Sequence, residues 1–444
     1  MFVNFSRLNI SKMNMKQYDT YKDSGVQWLG EIPGHWGCVA LSKVSDIILG
    51  KMLQSETKKE TDILIPYICA KDVHFDGIDM SNLKTMYFSQ SEMDMYEVRK
   101  GDMLIVEGGA GAGNCSILRN NVKNIGIQNS IMIVRSNADV INSYICYFMS
   151  SIVRRGYVDF ITNIATIPHF TKEKVSRTYI PLPPLSEQRS IVSFLDAKCG
   201  KIDEWVTKKQ KEVEHLQELK QRVIADAVTR GLNPHVKMKA TNIPWLKEIP
   251  EHWEALRAKH MFNKEQRPVE EGDEIVTCFR DGEVTLRRNR RTSGFTEATD
   301  YSHYQHICKG DLVIHQMDAF AGSAGVSDSD GMGTPVLSVC TPKSANVLNE
   351  YYAHVVRLMG KNGFILSLYR GIRERSSDFR FDTFAKLWLP VPPLSEQRSI
   401  VSYLDAKCAK IDKLIANVTK EIECIKEYKQ RLISDVVIGQ IKVC

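Results

Sequence analysis

The sequence predicts a mixed α/β protein made of two similar halves, each an α/β head followed by one long helix, with the two helices pairing as an antiparallel coiled coil in a pseudo-twofold internal repeat. Three observations predict this. Residues 183–203, PPLSEQRSIVSFLDAKCGKID, return 209 positions later at 392–412, with only Phe194/Tyr403 and Gly200/Ala409 different across 21 positions. A shorter repeat stands ahead of each head, WLGEIPGHW at 28–36 and WLKEIPEHW at 245–253. Between these repeats, roughly at 37–180 and 254–389, the two halves have diverged almost completely. One scaffold thus carries two unlike heads, as a reader of an asymmetric two-part target would need.

The composition fits such a chain. A length of 444 residues suits two to four domains with proper cores, and 43% hydrophobic with 25% charged residues is ordinary for a globular protein. A net charge of +6 with a pI near 8.6 permits a polyanionic partner without demanding one. No apolar run approaches the length of a membrane span, and the start, MFVNFSRLNISK, is too polar for a secretory signal, so a cytoplasmic protein is expected. Eleven cysteines without a CxxC pair read as reduced thiols used for packing, Cys199 and Cys408 at equivalent places in the two copies.

In chain order, residues 1–17 have no counterpart and read as an N-terminal extension. Leader and first head occupy 18–180, the first helical spacer 181–230, leader and second head 231–389, and the second helical spacer 390–444. Each spacer opens with proline punctuation, IPLPPLSEQ or LPVPPLSEQ. Ser186 and Ser395 are predicted N-caps there, with Glu187 and Glu396 favourably placed against the helix dipole. Only Gly200 interrupts the helical pattern up to about Val228 and Val437. In the second spacer Ile411, Ile415, Val418, Ile422, Ile425 and Leu432 alternate spacings of four and three, the seam of a coiled coil, with Lys429 at the next seam position. The first seam uses Ile202, Val206, Val213 and Leu216, interrupted by Lys209 and Lys220. Neither helix can bury such a seam alone, so each is expected to pack on the other. The heads share a faint skeleton: Gly101-Asp102 and Gly310-Asp311 each feed a short apolar strand, and 144–151 and 351–359 read as amphipathic helices.

The glycine-rich run EGGAGAGN at 107–114 has Asn114 and Cys115 where a phosphate loop needs Lys and Ser or Thr, so it reads as a turn. No Asn-Pro-Pro-aromatic tetrapeptide of amino-group DNA methylation occurs. His303, His306, Cys308 and His315 lack the spacing of a zinc site, and Asp328-Ser-Asp330-Gly331 reaches Val339 where a calcium loop needs Glu; no metal is expected. What remains is cationic. Arg287, Arg288, Asn289, Arg290 and Arg291 form a run without an acid, followed by Arg370, Arg373, Arg375 and Arg380, and arginine suits phosphate clamping and bidentate reading of guanine. Weaker candidates in the first head are Lys51, Gln54, Lys58, Lys59, Lys71, His74, Arg119, His169 and Lys172.

The repeat, the leader YKDSGVQWLGEIPGHW at 21–36, the LPPLSEQR-type blocks and the KQR-[VL]-I-x-D endings at 220–226 and 429–435 together resemble the specificity subunit (HsdS) of a Type I restriction-modification system. The resemblance covers nearly the whole chain from about Tyr18 and is strongest in the helical blocks. It implies two target recognition domains, each reading half of a split double-stranded DNA site, with the helices as spacer and docking surface. It also implies two DNA adenine methyltransferase (modification) subunits and translocase-endonuclease (restriction) subunits as partners. S-adenosylmethionine, ATP and Mg would belong to those partners, and none of them to this chain. The alternatives are a stand-alone DNA-modifying enzyme using 107–114, and a scaffold that binds no DNA.

Overall fold

The structure, a computed structural model, describes residues 16–57, 59–161, 168–291, 293–294, 300–368 and 379–443. Four helices organise it: α1 (Asn142–Arg154), α2 (Leu185–Arg230), α3 (Asn349–Lys361) and α4 (Leu394–Val437). The chain divides into two compact units, residues 1–208 with 421–444, and residues 209–420. Each unit therefore holds one head, one half of α2 and one half of α4.

In the first unit the head opens and closes on a two-stranded stem, β1 (Gly37–Ala40) antiparallel to β6 (Tyr179–Leu182). Within it, β2 (Ser45–Leu49), β3 (Met103–Val106), β4 (Cys115–Ile117) and β5 (Ile131–Ser136) form an antiparallel sheet in the order β4-β3-β5-β2. The second unit repeats the plan. Its stem pairs β7 (Glu254–Arg257) with β12 (Trp388–Val391). Its sheet joins β8 (Phe262–Glu265), β9 (Leu312–His315), β10 (Ala324–Val326) and β11 (Leu337–Pro342) in the matching order β10-β9-β11-β8. The Gly-Asp turns that feed β3 and β9 explain the faint skeleton. Gly101 and Gly310 sit at φ +92° and +93°, where L side chains are strained, and Asp102 and Asp311 accept the backbone N–H groups of Arg99 and Cys308 at 2.7 and 2.8 Å.

Each long helix starts one residue before its predicted cap. Pro184 and Pro393 carbonyls accept the N–H of Gln188 and Gln397 at 3.0 Å, so Leu185 and Leu394 are the first helical residues and Ser186 and Ser395 lie inside the first turn. Proline suits the position just ahead of a helix, because its fixed φ is already helix-compatible and its missing N–H would have had no partner. A glutamine in the same first turn ties each long helix to the segment ahead of the head's own helix. Gln188, fully buried, donates to Pro183 O and Asp139 O and accepts from Ile141 N; Gln397, equally buried, donates to Pro392 O and Asn346 O and accepts from Leu348 N.

The leaders dock on the same turn. Glu187 accepts from Trp36 Nε1 at 3.0 Å and pairs with His35 Nε2 at 2.6 Å; Glu396 does the same with Trp253 Nε1 at 2.9 Å and His252 Nε2 at 2.6 Å. Burial pushes the Glu187 carboxyl up, but the hydrogen bonds from His35, Trp36 and Tyr18 outweigh it and hold it below the ordinary glutamate range. Tyr144 of α1 donates to Val437 O at the end of α4, and Tyr351 of α3 to Val228 O near the end of α2. In the first unit the leader also meets the chain's last residues: Tyr21 Oη donates to Gly439 O at 3.0 Å, and Lys442 N to Lys16 O at 2.7 Å.

Within each unit the helix halves run antiparallel. In the second, Lys220 Nζ lies 2.7 Å from both carboxylate oxygens of Asp412; in the first, Lys429 Nζ lies 2.6 and 2.7 Å from those of Asp203. Both lysines interrupt the predicted seams, and both pair with an aspartate of the repeated block, the same device used twice to fix register. Of the seam residues, Val206 and Ile422 in the first unit and Ile411 and Val418 in the second are buried. Ile202, Ile425, Val213, Leu216 and Ile415 are half-buried, as a two-stranded seam open at its sides leaves them.

Candidate nucleic-acid interface

The arginine run of the second head is a turn, not a strand. The hairpin Val276–Cys278 with Val284–Leu286 leads directly into a 3-10 turn, Arg287–Asn289. Its base is fixed by Arg287 N donating to Ile275 O at 2.7 Å and by Asn289 Nδ2 donating to Thr285 Oγ1 at 2.8 Å. The four arginines differ in what holds them. Arg290 reaches back to Asp281 and Glu283, both at 2.8 Å, and lies over the Phe279 ring at 4.3 Å. Arg288 Nη1 meets the half-exposed Glu274 at 2.6 Å, and Arg291 donates to the carbonyl of Gly294. Arg287 also has interactions of its own. The run without an acid in sequence thus meets acids in space: Asp281 and Glu283 belong to the preceding hairpin turn, and Glu274 precedes it. Exposed pairs of this kind contribute little and exchange readily for phosphate. Arg380 precedes the helix Phe381–Lys386, exposed and with an interaction of its own. Arg370, Arg373 and Arg375 lie outside the described residues, as does Lys58 of the first head.

The candidates of the first head divide differently. Lys51 is only 8% exposed, its Nζ 2.9 Å from Tyr87 O and 2.5 Å from Glu92 Oε2, and Gln54 is 9% exposed and donates to Glu56 O and Asp62. Both are internal ties of the head. The Glu92 carboxyl, raised by burial, is held below its ordinary range by Lys51 and Ser89. Lys59, Lys71, His74, His169 and Lys172 are exposed, Lys71 beside Asp72 at 3.3 Å. Arg119 is exposed and 3.5 Å from Asp196.

Between the two buried ties stand residues that the sequence reading passed over. Met52 is 75% exposed and Leu53 58%, on the same loop whose polar neighbours are buried. Polar groups inside and apolar groups outside reverse the usual order, and an exposed apolar pair of this kind suits contact with thymine methyl groups or a base step.

The glycine-rich stretch is a hairpin turn joining β3 to β4. Gly113 N donates to Val106 O at 2.9 Å, and a Cβ on Gly113 would lie 2.9 Å from Val153 and Val158. Its glycines serve a tight turn and close packing on α1, and no helix follows to receive a phosphate.

A family model for the Type I restriction modification DNA specificity domain matches residues 33–215, from the first leader through the first head into α2. The chain is 22% identical over 425 residues to the Type I restriction enzyme MjaVIII specificity subunit of Methanocaldococcus jannaschii, covering 93% of this chain and 94% of that one. Over most of its length the chain is thus similar to Type I specificity subunits. It is also 22% identical over 315 residues, 64% of each chain, to the Type I restriction enzyme EcoBI specificity subunit of Escherichia coli. A solved chain from work on complex assembly and conformational transition of the type I R-M system superposes with a TM-score of 0.67 at 16% identity, covering 92% of this chain and 99% of that one. This chain shares with that solved chain a fold of two α/β heads and two long helices. Among the described residues no helix is long and apolar enough to cross a membrane.

Proposed function

We propose that this chain is the non-catalytic DNA-recognition subunit of a cytoplasmic Type I restriction-modification complex. Each head reads one half of a bipartite double-stranded target. The helices set the spacing between the halves and dock the two methyltransferase subunits, which carry S-adenosylmethionine; ATP and Mg belong to the translocase-endonuclease subunits. One observation carries the reading: identical anchors, Trp36/Trp253 to Glu187/Glu396 and the Gln188/Gln397 brackets, hold two heads of one sheet order that expose different side chains. The second head offers the arginine turn at 287–291, with Arg380 and the arginines at 370, 373 and 375. The first offers Lys59, Lys71, His74, Arg119, His169, Lys172 and the Met52–Leu53 pair, with Lys58. Mapping methylated adenines in the host genome with and without this gene tests the reading. Loss of a two-part motif on deletion supports it; an unchanged methylome contradicts it.

A further inference from the structure

The second head holds a cluster that DNA reading leaves unused. The strand Gln305–Ile307 pairs antiparallel with Gly331–Gly333, Ile307 opposite Gly331, so the next pair outward is Cys308 and Asp330. A ring nitrogen of His306, Sγ of Cys308 and a carboxylate oxygen of Asp330 all lie within 4.8 Å of one another. Nδ1 of the buried His306 is 2.8 Å from Asp273 Oδ2, which leaves Nε2 as the available nitrogen, and Glu270 Oε1 stands 3.9 Å from Nε2. Asp330 spends Oδ1 on the N–H of Lys309 at 2.8 Å and keeps Oδ2. The nearby cation, Arg267, is committed to Asp311.

An imidazole nitrogen and a thiol from one segment, meeting a carboxylate from the strand paired with it, make a zinc donor set once the thiol is deprotonated. A carboxylate on the far ring nitrogen is the arrangement that fixes the tautomer of a metal-bound histidine. We propose that His306, Cys308 and Asp330, with Glu270 as fourth ligand, form a structural Zn2+ site, the Cys308 thiol giving up its proton to solvent as the metal binds. From sequence no metal is expected, and His306 and Cys308 stand there beside His303 and His315 without Asp330 or Glu270. His303 is exposed on the preceding turn, and His315 lies in β9 with its Nδ1 accepting from Asp318 N. Asp330 and Glu270 were too distant in sequence to be grouped with His306. The site ties three segments at the foot of the arginine turn: Met332 N donates to Glu274 O, and Glu274 in turn meets Arg288. Zinc therefore steadies the turn whose DNA role rests on the reading above, while the site itself is testable without DNA.

The test uses the full chain, purified under reducing conditions, loaded with Zn2+ alone, washed with a weak chelator and analysed for zinc by mass spectrometry. One zinc per chain is expected. Cys308→Ser and Asp330→Asn should lose it, Asp273→Asn should bind about 10- to 100-fold more weakly, and His303→Ala should be unaffected. Loading the unmutated chain with Co2+ should give a thiolate-to-cobalt absorption band, a readout independent of whether any variant folds. A parent chain that retains no zinc and shows no such band overturns the proposal. So does a folded Cys308→Ser, Asp330→Asn double variant that retains zinc unchanged.

Discussion

At one position on equivalent helices the two heads carry different chemistry. Tyr147 of α1 donates to Asp196 at 2.7 Å, while α3 places His354 there, with Nδ1 buried and unpartnered and Arg357 and Lys220 close by. Around that difference two attachments recur: Asn142 and Asn349 donate to Gly101 O and Gly310 O, both at 2.7 Å, and Tyr144 and Tyr351 reach the end of a long helix. The Asn and Tyr attachments of a head to its scaffold are held alike, whereas the Tyr147 tie to Asp196 gives way to His354 in the second head. Attachment is a solved problem used twice; surface chemistry is individual to each head.

The comparison is tested most severely at the shared seam. Val418→Asp places an unpaired charge on a buried position, and chemical denaturation should show a loss of about 3 kcal/mol or more. A change under about 1 kcal/mol would mean that the helices do not depend on each other.

Acid should then separate the halves. Burial, with Arg357 and Lys220, lowers the His354 pKa from 6.5 to about 4. The folded state therefore holds His354 neutral while the unfolded chain takes up a proton below 6.5, so stability is full above that pH and declines as pH falls towards about 4. Up to about 3 kcal/mol is at stake. Hydrogen exchange between pH 7 and 4.5 should show the second head loosening before the first, and His354→Phe should abolish the difference.

The anchors should behave as equals. Gln188→Ala and Gln397→Ala should each cost about 2 kcal/mol, because each strands buried backbone groups of the same kind. Costs that differ several-fold would show that the second copy is a relic. On the surface the expected effects are smaller in stability and larger in binding. Arg288→Ala and Arg291→Ala in the assembled complex should make the salt dependence of DNA affinity shallower by about one unit for each lost phosphate contact. Arg290→Ala should change it less, since Arg290 is already held by Asp281 and Glu283. Met52→Ser with Leu53→Ser should alter stability by less than about 0.5 kcal/mol yet change which sites are methylated in one half of the motif.

Much of this architecture is legible in the sequence, since a 21-residue repeat and a heptad seam leave few alternatives for the helices. The seam lysines were visible as interruptions, but their partners Asp203 and Asp412 were not, because an ion pair between residues 192 or 226 positions apart leaves no periodic trace. The head anchors were readable in principle: Trp36, Glu187 and Gln188 all recur 209 or 217 positions on. The surface was the least readable part. Lys51 is an internal tie, whereas the apolar Met52 and Leu53 beside it are exposed; pattern alone does not say which side of a loop faces inward.

The central claim is that two independent readers are attached to one scaffold. Exchanging residues 37–182, stem to stem, for the head of a relative and sequencing the methylome tests it most directly. One half of the recognised motif should change while the other half and the spacing between them stay as they were. A swap that rewrites both halves at once would contradict the account, because the two heads would then be reading DNA jointly.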